Sequence, residues 1–235
     1  MNRLLALSVA FIGIGVLTGS TRTVASEPRS FIFVEGRDTG SETFSRSANS
    51  LTGDMAFGKD RIHYEAKIAG DGTIPRLDIR VSRAGAQTQK RIAVIVNRDS
   101  TQLIEEVGKK TDSVRVATQP GVLPFINLSV GLTELVVARA RLQKSKMATV
   151  PVVIALDLDN LDKSTPAPLR SRAAPILVAV TFASADSVRL GATDAKDRVR
   201  LAVGSDGNIR GVVSGSDAKD HFKAIPGSKP AKPGN

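Results

Sequence analysis

Residues 60–83 read DRIHYEAKIAGDGTIPRLDIRVSR. From Arg61 to Ile68, the side chains of Ile62, Tyr64, Ala66 and Ile68 point one way, and those of Arg61, His63, Glu65 and Lys67 point the other. From Arg76 to Arg83, Leu77, Ile79 and Val81 alternate in the same manner with Arg76, Asp78, Arg80 and Ser82. Alternation with a period of two marks a strand with one buried face. Between the two runs, Gly70-Asp71-Gly72 accepts positive φ, so the stretch predicts an antiparallel hairpin.

A second hairpin follows the same plan near the end of the chain. Val199, Leu201 and Val203 alternate with Arg198 and Arg200, Asp206-Gly207 turns the chain, and Ile209 to Val213 returns. Both hairpins carry Asp-Gly-x-Ile at the turn and Asp-Arg ahead of an aliphatic residue, which raises the idea of an internal duplication. Further strands are expected at Phe31–Val34, Glu42–Arg46, Leu51–Phe57, Arg91–Asn97, Ser113–Ala117, Val150–Leu158, Ile176–Ala183 and Ser187–Leu190. Ile92–Val96 and Val150–Leu156 are apolar on both faces, as strands in mid-sheet or beneath a second layer are. The fold class expected is therefore mainly β: a single antiparallel β-barrel, half-barrel or sandwich of about ten strands with one packed α-helix.

That helix is expected at about residues 123–143. Phe125, Leu128, Leu132, Leu135 and Val136 follow helical spacing, Pro124 suits a first turn, and Arg139 and Arg141 suit the negative end of the helix dipole. So apolar a helix must be covered by the curved sheet. It then acts either as a plug completing the core or as a lid over a ligand cavity lined by those five residues. In general layout, a helix-plugged sheet of this kind resembles the periplasmic carriers of lipids and lipoproteins.

Residues 1–26 have the layout of a secretory signal peptide: Arg3, an apolar run from Leu4 to Leu17, then small and polar residues, with cleavage after Ala25 or Ser26. The apolar run is shorter than the ~20 residues of a membrane-spanning helix, and no second run of that length follows. The mature chain is thus expected in the periplasm or outside the cell, as a domain over 27–215 with a disordered Lys/Pro-rich tail at 216–235.

The chain has 33 basic and 23 acidic side chains, a net charge of +10. Such a charge favours polyanions. Export, together with an aromatic content of only 4%, argues against nucleic acid, whose single strands are held by aromatic stacking. The expected partners are lipid or an anionic envelope polymer. Arg76, Arg80, Arg198, Arg200 and Arg210 would form a basic, anion-binding stripe if both hairpins shared a sheet.

Catalytic chemistry has few residues to work with. Cysteine is absent, which removes thiolate nucleophiles, disulfides and Cys-ligated metals. There are two histidines, His63 on a polar strand face and His221 in the tail, and no Gly-x-Ser-x-Gly elbow. Asp38-Thr39-Gly40-Ser41 resembles the short core of the aspartic-protease signature over four residues, a resemblance that would imply a hydrolase with a catalytic Asp38. Gly36 and Arg37 separate it from the preceding apolar strand and no second copy occurs, so a hairpin turn accounts for it. Asp157, Asp159, Asn160 and Asp162 cluster at a strand end, but the EF-hand positions for Gly and Glu hold Asp162 and Pro168. No metal, no catalytic residue and no cofactor is assigned. The expected function is an exported non-enzymatic binding protein of the envelope for an apolar or anionic amphiphilic ligand. A structural or interaction module without a cavity is the alternative.

Overall fold

The computed structural model describes residues 26–35, 38–85, 89–158, 168–193, 199–213 and 222–227. Among these are fifteen strands and two helices: β1 (Arg29–Glu35), β2 (Asp38–Arg46), β3 (Ser50–Phe57), β4 (Asp60–Lys67), β5 (Arg76–Arg83), β6 (Lys90–Val96), β7 (Ser100–Val107), β8 (Lys110–Ala117), β9 (Leu123–Ile126), α1 (Val130–Arg141), β10 (Met147–Leu156), α2 (Leu169–Ala173), β11 (Ile176–Phe182), β12 (Ser187–Ala192), β13 (Val199–Val203), β14 (Ile209–Val213) and β15 (Phe222–Pro226). The protein is mainly antiparallel β and curls into a half-barrel. The strands run in the order β8-β7-β6-β5-β4-β3-β2-β1-β15-β14-β13-β12-β11-β10-β9, and β9 alone pairs in parallel, with β10.

Both expected hairpins form. Ile62 lies opposite Val81 and Tyr64 opposite Ile79 in β4–β5, while Leu201 lies opposite Val212 in β13–β14. Their turns share one hydrogen-bond scheme. In the first, the Ala69 N–H donates to Thr73 O, Gly72 N–H to Ala69 O and Thr73 N–H to the Asp71 carboxylate. In the second, Gly204 N–H donates to Asn208 O, Gly207 N–H to Gly204 O and Asn208 N–H to the Asp206 carboxylate. The likeness extends to a third place. The strands β3, β7 and β12 each begin with a serine, and the residue just before it accepts from the end of the next strand: Ile68 N–H to Asn49 O, Thr118 N–H to Asp99 O and Val203 N–H to Asp186 O. The turn that follows holds a glycine at positive φ, Gly72, Gly121 or Gly207, and two residues later a buried aliphatic side chain, Ile74, Leu123 or Ile209.

The structure corrects three expectations. The helix begins at Val130, not near residue 123, because Leu123–Ile126 is a short buried strand beside β10. Strands β7 and β15 were not foreseen, and β15 falls in the stretch expected to be a disordered tail, where it pairs with both β1 and β14. A second helix, α2, packs on β7, β8 and β10. Its Arg172 is ion-paired with Glu105 of β7 and donates to Ala155 O of β10, spanning the seam between the two ends of the sheet. The signal-peptide segment 1–26 lies outside the described residues save for Ser26.

The inward faces of the strands form one apolar core with α1 across it. Leu132, Leu135, Val136 and Val137 are each at most 3% exposed, and burying each contributes about 1.5–3 kcal/mol. The helix is covered on almost every side: Val130, Thr133, Glu134 and Ala140 are buried as well. Its last turn reaches all three glycine turns. Arg139 donates to Asp71 O and lies against Gly121, where a Cβ would come within 2.7 Å of its guanidinium. Arg141 lies against Gly207 at a corresponding 2.8 Å.

Candidate functional site

The first turn of α1 meets a buried polar cluster. Ser129 caps the helix, its Oγ accepting from Leu132 N–H. It also donates to Glu42 Oε1 of β2 at 2.7 Å. Tyr64 of β4 donates to the same oxygen at 2.5 Å, and Val130 N–H donates to Oε2 at 2.6 Å. Glu42, Tyr64 and Ser129 are all fully buried. Loss of hydration pushes the Glu42 carboxyl up to about 7, with the hydrogen bonds from Tyr64, Ser129 and the helix N-terminus pulling the other way. Burial, with Glu42 beside it, holds the Tyr64 phenol protonated well above its usual range. The approach is close because Gly131 and Gly53 carry no side chain: a Cβ on either would lie within 2.6 Å of Tyr64.

A second latch sits one turn on. Arg29 of β1 grips Glu134 with both guanidinium nitrogens at 2.5 Å, while Ile209 N–H of β14 donates to Glu134 Oε1 at 2.7 Å. Arg29 also stacks over the Phe44 ring, 4.6 Å from its centre. Glu42 and Glu134 thus bind one helix to β1, β2, β4 and β14. No atom of Glu42, Tyr64 or Ser129 reaches solvent, so this cluster holds the helix and touches no substrate while α1 is in place.

The five residues expected to line a cavity fall in two places. Leu132, Leu135 and Val136 are on α1 in the core, and none of them lines the hollow over β3–β6, the one beside it or the one between Pro28–Phe31 and Ile209–Arg210. Phe125 belongs to β9, opposite Ile154. Leu128 joins β9 to α1 at a φ of +66°, half-buried against the core.

The expected basic stripe does not form. The two hairpins share the sheet, but β5 and β14 are six strand spacings apart, roughly 29 Å along it. Arg76 is held two-toothed by Asp78, Arg80 lies 3.8 Å from Glu65, and Arg210 is paired with Asp206. Arg200 lies opposite Arg189 on β12, and Arg198 lies outside the described residues. What the outer face does carry is a row that crosses five strands in register, Asp54, His63, Arg80, Arg91 and Glu106.

No known protein family and no curated protein matches the chain. In fold it is similar to the crystal structure of a DUF1089 family protein from Pseudomonas aeruginosa, with a TM-score of 0.50 and 12% identity over 89% of this chain and 95% of that one. At that identity the likeness is one of fold.

Hydrolytic chemistry finds no assembled site among the described residues. Asp38 opens β2 opposite Glu35, at the end of the β1–β2 hairpin; its side chain lies outside the described residues. His63 has both ring nitrogens engaged, Nδ1 with Asp54 at 2.8 Å and Nε2 with Glu65 at 3.0 Å, which leaves neither to act as base for the neighbouring Ser82. Partial burial works against its charged form, but the two carboxylates outweigh it and raise the pKa of the imidazole. Asp157 accepts from Asn127 at 2.6 Å, while Asp159, Asn160 and Asp162 lie outside the described residues. Among the described residues no group of acids and histidines is placed to hold a metal ion, and no helix is long and apolar enough to cross a membrane.

The Glu42 cluster went unforeseen, although one signal pointed to it. Phe44, two residues on, shares the strand face of Glu42, so a buried Phe44 turns Glu42 inward too.

Proposed function

We propose that the protein is an exported, non-enzymatic binding protein of the cell envelope, which holds an apolar or anionic amphiphilic ligand between its half-barrel and α1. The observation that carries this reading is how α1 is fastened. A helix needed only as core is held most cheaply by apolar contacts, since burying a carboxylate costs several kcal/mol of hydration. Here two buried acids, Glu42 and Glu134, fasten the helix to the sheet, and latches of that kind, unlike apolar contacts, answer to protonation or to a competing hydrogen-bond partner. The signal-like residues 1–26 and the basic charge support export and an anionic partner.

One observation favours a structural or interaction module instead: the apolar side chains of α1 are fully packed. Purification of the mature protein from its own envelope without detergent, followed by native mass spectrometry and organic extraction, separates the two. The expected result is an amphiphile bound at about one per chain and lost in a folded Leu132→Ala variant, with a mature N-terminus at residue 26 or 27. A clean apo mass under gentle conditions overturns the carrier and leaves the module.

A further inference from the structure

We infer that a hollow on the outer face of β3–β6 is a binding site for a phosphate ester. It lies on the opposite side of the sheet from α1 and stands whether or not the half-barrel carries a ligand.

The hollow has a volume of about 420 Å³ and is lined by three guanidinium groups, Arg61 of β4, Arg80 of β5 and Arg91 of β6. Arg80 and Arg91 lie directly opposite each other in the β5–β6 ladder. Like charges at facing positions disfavour the fold unless something between them accepts their donors. The protein supplies little that does. Arg91 makes no ion pair among the described residues, Arg61 donates only to the carbonyls of Gly58 and Asp60, and Arg80 reaches Glu65 at 3.8 Å.

Asp54 is the one carboxylate in the lining, and it is tied to His63, whose imidazole leans toward its charged form. Ser82 and Gln89 add neutral donors at the rim. The adjoining hollow holds more acid: there Glu65, Asp78 and Glu106 stand beside Arg76 and the far sides of the same Arg80 and Arg91, with Glu106 opposite Arg91 in the β6–β7 ladder. On the side of the first hollow, Arg61, Arg80 and Arg91 meet Asp54 alone, so fork-shaped donors outnumber carboxylates in that lining. A carboxylate satisfies one such fork, whereas a phosphate offers several oxygens and up to two charges to the three together. The volume exceeds that of a bare phosphate and fits an ester with a glycerol- or sugar-sized group.

The test is calorimetric titration of the full mature chain with glycerol 3-phosphate and with inorganic phosphate, alongside flotation with phosphatidylglycerol vesicles. Saturable glycerol 3-phosphate binding is expected, weakened at least tenfold in Arg80→Gln and in Arg91→Gln. Arg189→Gln and Arg200→Gln, from the other facing arginine pair, should bind as wild type does. All four positions are on the surface of strands, and circular dichroism checks that each variant is folded. Binding of soluble esters without vesicle binding assigns the site to a free phosphate ester. Vesicle binding competed by glycerol 3-phosphate assigns it to a lipid headgroup. Absence of saturable binding, an equal loss in the Arg189 and Arg200 variants, or vesicle binding that ignores Arg80→Gln and Arg91→Gln overturns the site.

Discussion

Glu42 ties stability to pH with an unusual sign. Its carboxyl titrates near 7 in the folded chain against an ordinary 4.5, so across that window the folded state holds a proton that the unfolded state has released. The stability it contributes is complete below pH 4.5 and is lost as the pH rises through 7, a change on the order of 3 kcal/mol. Glu42→Gln stays neutral throughout. Urea unfolding at steps from pH 4.5 to 8 should show the variant gaining on wild type by roughly that amount; a difference that stays flat would mean that Glu42 remains charged across the whole window. The burial of this residue was legible in principle from Phe44, but its partners were not. Tyr64 and Ser129 come from positions 22 and 87 residues away, and no local pattern connects them.

At the scale of elements, α1 is held by one long-range ion pair whose loss can be measured. Arg29→Ala takes the ion pair from Glu134, 1% exposed, and leaves it only the Ile209 N–H. A cost of about 3–5 kcal/mol is expected, the range for stranding one partner of a buried pair. In a double-mutant cycle, adding Glu134→Gln should recover more than half, since the amide keeps an acceptor for Ile209 without the charge. An additive result would show that the two side chains do not depend on each other. The helix itself was legible, but its start was not. Leu123, Phe125 and Ile126 are apolar at intervals that suit either a buried strand or a helix, and Pro124 tilts the reading toward a first helical turn. Ser129, the actual cap, stood directly before Val130. Strand β15 was hidden for a different reason: Lys and Pro dominate its surroundings, and its pairing depends on β1, far away in sequence.

For the whole molecule, the hairpins were readable and their arrangement was not. Alternation places residues on faces, but it is silent on which hairpin lies beside which, and so the basic stripe was expected where six strand spacings intervene. The arrangement turns on β15, the one strand among those described that pairs with both β1 and β14. A chain ending before Phe222 should keep both hairpins but lose the join. Its melting should be broad and early, and size-exclusion chromatography should show association through the newly bare edges. A sharp, wild-type transition would show that the core and α1 hold the halves together unaided. The same geometry sets an order of assembly. Phe31 pairs with Pro226, so β1 and β14 keep open edges until β15, the latest of the described strands, arrives, and contacts so distant in sequence form slowly. During that interval the gap accepts β15 from any copy of the chain, and two molecules that exchange it become a domain-swapped dimer with every native hydrogen bond intact.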